Sequence, residues 1–207
     1  MFILESLIIT IAVSIDAFFV ALSYGTKKIK IPFLSLQIIN LTSTVTLIVA
    51  LFFGHFLKNI LSTSACDLIA FFLLLSLGTI KLLDGFIKFL IRKSLNKKVN
   101  FKLFNLNFFL NIYANPEKAD IDKSKTISKI EALSLAVILA LDCLAVGLGI
   151  GLGSINILTI GICLLITGLV ALYSGLHLGE KIATKAKDLS WLSGIILIGI
   201  AIFRLYG

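Results

Sequence analysis

Six apolar runs, at about residues 2–24, 32–57, 66–91, 130–153, 155–179 and 190–206, alternate with polar connections along the chain. A bilayer core is spanned by a helix of about 20 apolar residues. The pattern therefore predicts an all-α membrane protein with six transmembrane helices. Two runs are interrupted by a carboxylate at a matching place, Ser14-Ile15-Asp16-Ala17-Phe18 in run one and Ala140-Leu141-Asp142-Cys143-Leu144 in run four. A shift of 126 positions lays Glu5 on Glu131, Leu7 on Leu133, Asp16 on Asp142, Val20 on Val146, Leu22 on Leu148 and Gly25 on Gly151. Gly54-His55 closes run two as Gly179-Glu180 closes run five, and Gly78 with Lys81 resembles Gly199 with Arg204. Three helices are an odd number, so a second copy enters the membrane from the other side, and the expected architecture is two inverted three-helix repeats. The divisions are 1–91 for the first repeat, 92–128 for a connection and 129–207 for the second repeat.

Composition agrees with this pattern. The chain has 207 residues, 58% of them hydrophobic and 14% charged, and a mean hydropathy of +1.07, outside the range of a soluble domain. Its net charge of +8 raises nucleic-acid binding as an explanation, but the positions of the charges exclude it. Sixteen of the nineteen Lys and Arg residues lie in or beside the connections after runs one, three and five. That is the positive-inside arrangement, with the lipid bilayer as the partner, these connections in the cytoplasm and both termini extracytoplasmic. Run one has no basic residues ahead of it and carries Glu5 and Asp16, so it is expected to stay as a helix rather than act as a cleaved leader. Cys66, Cys143 and Cys163 form no metal or disulfide pattern.

The candidate chemistry is concentrated in the carboxylates. A charge at the bilayer centre costs roughly 2.5 to 3.5 kcal/mol on insertion scales, so Asp16 and Asp142 mark a functional site by default. Near the midplane, where inverted repeats meet, they form an expected transport site. Run two is unusually polar, with Gln37, Asn40 and Thr44 on one helical face. That face is either a set of interhelical hydrogen bonds or a cavity wall. Lys81 and Asp84 stand three residues apart in run three and read as a mutually neutralising pair. On that reading no cation stands near both aspartates, which speaks against a bound carboxylate as cargo. Gly147, Gly149, Gly151 and Gly153 mark either close packing or an unwound turn, and Gly161, Gly168, Gly175 and Gly179 share a packing face.

The connection holds a second candidate. With Asp120 as position 1, an EF-hand pattern places Asp122 at 3, Ser124 at 5, Thr126 at 7 and Glu131 at 12. Position 6, where the sharp turn calls for Gly, is Lys125. The competing reading is a capping box, Ser128-x-x-Glu131, that starts helix four. Ca²⁺ or Mn²⁺ is the expected ion if the loop binds one.

Taken together, Ser14-Ile15-Asp16-Ala17-Phe18, Ala140-Leu141-Asp142, the glycine-rich run five and the two three-helix halves resemble the MntP/YtaF family of bacterial membrane proteins. That family is named for a manganese efflux pump and a sporulation membrane protein. The stretch from Pro116 through Asp120, Asp122, Ser124, Ile127 and Glu131 looks like the YtaF branch. Cys143-Leu144 replaces the usual Ala-Phe or Ala-Leu. The resemblance implies a multi-pass protein of the bacterial cell membrane, associated with sporulation, that exports a divalent cation such as Mn²⁺ by alternating access. Hard cations take oxygen ligands, and the expected ligands are Asp16, Asp142, Asn40, Thr44 and Ser14. The ion is cargo, so no catalytic residue and no resident cofactor are expected. An enzyme is not expected either, because the contexts of the two aspartates lack the Tyr-Asp and Gly-x-Gly-Asp motifs of intramembrane aspartyl proteases. A non-transporting sporulation scaffold, an exporter of another small solute, and a homo-oligomer are left open.

Overall fold

The computed structural model describes residues 2–83, 112–113, 119–122, 124–153, 156–181, 198 and 202. Nearly all of run six, Asp84 and most of the segment 92–118 lie outside the described residues, as do the calls made on them.

Among the described residues there are five long helices: α1 (Phe2–Thr26), α2 (Phe33–Lys58), α3 (Thr63–Leu82), α4 (Lys129–Gly151) and α5 (Ile157–Lys181). All five are long and apolar enough to cross a membrane. The chain's two prolines, Pro32 and Pro116, both fall outside them. In an apolar solvent each backbone N–H and C=O must be satisfied within its own segment, which these uninterrupted helices achieve. Among the described residues there is no strand, only a single parallel bridge between Lys30 and Thr126. Side chains along α2 (Leu41, Val45, Val49, Phe52, Phe56) and α5 (Leu158, Ile162, Ile166, Val170, Tyr173) are exposed and apolar. Aqueous surfaces rarely carry such continuous stripes, so these faces belong against lipid. The protein is a multi-pass membrane protein.

The helices pack in crossed pairs, α1 against α5 and α2 against α4, with α2 also on α5 and α3 on α4. Helices α1 and α4 meet along a much shorter contact. Small residues set both main pairs. A Cβ on Gly25 would strike the backbone of Leu176 and Gly179, and one on Gly175 would meet the Phe18 carbonyl and Ala21. In the other pair a Cβ on Gly54 would come within 2.8 Å of Gly151 Cα, and one on Gly147 would lie 2.7 Å from Ala50 Cβ. Gly149 packs on Leu74 of α3, and α4 remains helical through Gly151. Gly147, Gly149 and Gly151 are therefore packing residues.

Two apolar cores result. One joins Ala21 and Tyr24 of α1 to Leu36, Ile39, Leu135, Leu139 and Leu172. The other joins Ile9 and Val13 to Leu47, Leu51, Cys143, Val146, Ile160 and Leu164. Between them, on every one of these four helices, lies a short stretch that contributes to neither core: residues 14–16, 40–46, 140–142 and 165–171. The polar side chains sit there.

Gly151→Leu is expected to destabilise the protein by about 1–3 kcal/mol or prevent its folding, since the α2 backbone has nowhere to move. The lipid-facing Leu158→Ala should change stability by no more than about 0.5 kcal/mol. Thermal unfolding of both variants in one detergent checks the contrast.

Candidate functional site

The stretch between the cores encloses a cavity of about 20 Å³ lined by Ser14, Asp16, Asn40, Ser43, Asp142 and Cys143, among others. A water needs roughly 10–15 Å³ measured in this way, so the space suits one water-sized occupant. Asp16 and Asp142 both reach a single ammonium, that of Lys81 on α3. Lys81 Nζ donates to Asp16 Oδ2 and lies 3.5 Å from Asp142 Oδ2. The Lys81 and Asp16 side chains are 8% and 14% exposed, and that of Asp142 is 33% exposed.

The supporting polar groups are fixed by their neighbours. Asn40 Nδ2 donates to the Leu165 carbonyl of α5 at 2.9 Å. Its Oδ1 fills the space where a Cβ on Gly168 would stand, so Gly168 makes room for an amide that crosses from one helix to another. The Ser14 hydroxyl donates to Thr167 Oγ1 at 3.2 Å, and the Thr167 hydroxyl donates to the Cys163 carbonyl at 2.8 Å. The Thr44 hydroxyl donates to the Asn40 carbonyl at 2.9 Å.

Four of the residues expected at the transport site, Ser14, Asp16, Asn40 and Asp142, thus line one cavity. Thr44 is buried beside Asn40 with its hydroxyl turned to its own helix. The largest correction concerns Lys81. Spacing along run three suggested a pair with Asp84. In the folded chain Lys81 points inward and joins both membrane aspartates, while Asp84 lies outside the described residues. A cation does stand near both carboxylates, contrary to the expectation from sequence. The available signal was Lys81 itself, an intramembrane charge with no need of a local partner. Ser43, Thr167 and Gly168 had no such signal, because small and hydroxyl residues are common in packed membrane helices.

The second candidate lies where α4 begins. Ser128 accepts a hydrogen bond from the Glu131 N–H, and the Glu131 carboxylate accepts one from the Ser128 N–H, which completes the capping box. Glu131 also accepts from the Ile121 N–H at 2.7 Å, so backbone donors hold both of its oxygens. Asp120, Asp122 and Glu131 nevertheless gather, with one carboxylate oxygen of each within 4.8 Å of the others. Lys125 adopts the left-handed conformation, φ 59, that the glycine of an EF-hand loop favours, and its N–H donates to Asp120 Oδ2 at 3.1 Å. Ser124 Oγ donates to the Thr126 carbonyl at 2.9 Å and lies 3.0 Å from Thr126 Oγ1. The loop is anchored to the turn after α1 by Lys30 N–H to Lys125 O at 2.8 Å and Ile127 N–H to Lys30 O at 2.9 Å. Burial, with the neighbouring Asp122, raises the Asp120 carboxyl above its ordinary range, and the Ser124 N–H lowers that of Asp122.

Five apolar helices among the described residues, around an internal cluster of charges, define a multi-pass membrane protein. The chain is similar to the protein named "Probable sporulation protein YtaF" of Bacillus subtilis (strain 168), with 27% identity over 204 residues that cover 96% of this chain and 97% of the relative. No protein-family profile matches the chain, and no solved structure does.

Asp120 supplies the loop's prediction. A carboxyl whose folded-state pKa is raised loses stability as pH rises through that value, so at neutral pH the charge opposes folding. Asp120→Asn should therefore leave thermal stability unchanged or slightly higher without added cation. If the loop binds Ca²⁺ or Mn²⁺, the same variant should lose the rise in unfolding temperature that millimolar cation gives the parent chain.

Proposed function

We propose that the protein is a carrier that exports a divalent cation, Mn²⁺ being the best match, by alternating access around Asp16 and Asp142. The observation that carries this reading is the convergence of two membrane carboxylates on one small cavity between two apolar cores. Mn²⁺ prefers an all-oxygen shell. Asp16, Asp142, Asn40 Oδ1 and the Ser14 hydroxyl would provide oxygens there, and two carboxylates match the charge of a divalent ion. A cavity of about 20 Å³ suits a bare ion better than an amino acid, which argues against a larger cargo even though Lys81 supplies a cation for one.

The same reading takes the fold as six helices in two inverted repeats, with both termini outside a bacterial cell membrane. Its support is the crossed packing. Under the repeat alignment Gly25 corresponds to Gly151 and Gly54 to Gly179, and the Gly25–Gly179 contact of α1 and α5 has its counterpart in the Gly151–Gly54 contact of α4 and α2. Ala21 against Gly175 corresponds likewise to Gly147 against Ala50. Each repeat's first helix rests on the other repeat's second helix, which is the exchange an inverted two-fold axis produces. Such an axis brings the substrate site to the midplane.

The name of the Bacillus subtilis relative associates that protein with sporulation, and we extend the association to this chain. A sporulation scaffold without transport is the rival. It gives no reason to hold three charges inside the membrane, where each is unfavourable.

Two experiments follow. Asp16→Asn and Asp142→Asn should each reduce Mn²⁺ efflux from loaded proteoliposomes by at least about 100-fold, as expected for loss of a charged ligand worth about 3 kcal/mol, while both proteins still fold. Normal efflux by either variant would overturn the site. For orientation, single cysteines placed at Lys28 and Asn59 in a cysteine-free background should label from opposite faces, Lys28 from the cytoplasm. Labelling of both from one side would contradict the topology.

A further inference from the structure

Asp16, Lys81 and Asp142 come from three different helices, and the ammonium touches both carboxylates beside a cavity with room for one water-sized occupant. An ion bound to Asp16 Oδ2 and Asp142 Oδ2 would compete with the ammonium for the oxygens that Lys81 now contacts. Charge points the same way. With all three groups ionised the cluster carries one net negative charge. A divalent ion added beside the ammonium leaves an excess positive charge in a medium of low dielectric, where Coulomb terms are several times stronger than in water. The same ion with the ammonium removed leaves the cluster neutral.

We propose that Lys81 is a tethered counter-ion that holds the cation's place in the empty carrier and withdraws when a divalent cation binds. The inference rests on the cation-carrier reading above and adds a step to it. The withdrawn ammonium has somewhere to go. Lys81 stands in the last turn of α3, where the helix dipole favours a cation. Its four-carbon stem lets the charge reach a polar boundary while the stem stays in apolar surroundings. The loaded and empty forms then both keep their buried charge low, neutral in one and a single negative charge in the other. Without Lys81 the empty form would bury two unpaired carboxylates, and its return across the membrane would be blocked. Lys81 is in this sense a positioning and coupling residue for return of the empty carrier, and the loaded step does not need it.

The test separates two fluxes of the full chain in proteoliposomes. One is Mn²⁺ exchange with equal Mn²⁺ on both sides, which needs only the loaded form. The other is net Mn²⁺ efflux into Mn²⁺-free buffer, which needs the empty form to return. In Lys81→Met the half-saturating Mn²⁺ concentration for exchange should fall about tenfold, equivalent to about 1.4 kcal/mol, exchange should persist, and net efflux should slow by a further tenfold or more. Removing one partner of a buried ion pair can unfold a protein, so Lys81→Gln, whose amide still donates to Asp16, is measured beside it. Lys81→Arg, which keeps the charge, should restore net efflux in part. Unchanged affinity with both fluxes falling by the same factor would show a merely structural ion pair and overturn the inference. Absence of Mn²⁺ flux in the parent chain would instead remove the carrier reading, and this step with it. Parent transport without the split in the variants would remove the Lys81 step alone.

Discussion

An ammonium held between two carboxylates inside an apolar bundle is the constraint to which the rest of the structure answers. None of the three charges is tolerable there alone, because burial of an unpaired ion in low dielectric costs several kcal/mol. Their meeting requires that α1, α3 and α4 be held at one depth. The two flanking cores do this, and each draws residues from the same four helices on either side of the polar layer. Asn40 fixes the layer laterally through its bond to the Leu165 carbonyl. Gly168 leaves space for that amide. The polar layer is thus a product of packing above and below it as much as of its own hydrogen bonds.

Much of this was legible in the chain. Five of the six apolar runs correspond to observed helices, and the sixth lies almost wholly outside the described residues. The glycines of runs four and five announced close contacts, and the structure gives a partner to each of Gly147, Gly149, Gly151, Gly161, Gly168, Gly175 and Gly179. Asp16 and Asp142 stood out because charge in an apolar run has an energetic meaning independent of fold. Lys81 was visible for the same reason, but its contact with the two membrane aspartates was not foreseen. Local spacing offered Asp84 at i+3, whereas the direction in which a helix faces is set by tertiary packing that spacing does not encode. The contacts of Ser43, Thr167 and Gly168 were illegible, since nothing in a hydroxyl or a glycine says which neighbouring helix it will meet.

The loop before α4 shows two sequence readings satisfied by one geometry. Ser128 and Glu131 form the expected cap, and Asp120 and Asp122 still gather beside Glu131. Lys125 takes the positive φ that the glycine position of the pattern requires, so the departure from the pattern changes the residue without changing the turn. The bridge from Lys30 to Thr126 joins this loop to the end of α1, the helix that carries Asp16. The loop thus touches the ends of both helices that carry the membrane aspartates, α1 through Lys30 and α4 through its cap.

The central claim is that Asp16 and Asp142 together bind the transported ion, and the most direct measurement is the position of manganese in crystals of the Mn²⁺-loaded protein, located by anomalous scattering at the manganese edge. The account predicts a peak between the two carboxylates, bonded to oxygen at about 2.0–2.3 Å, with the Lys81 ammonium moved out of contact. Manganese found only beside Asp120 and Glu131, with Lys81 still seated between the two membrane aspartates, would contradict it.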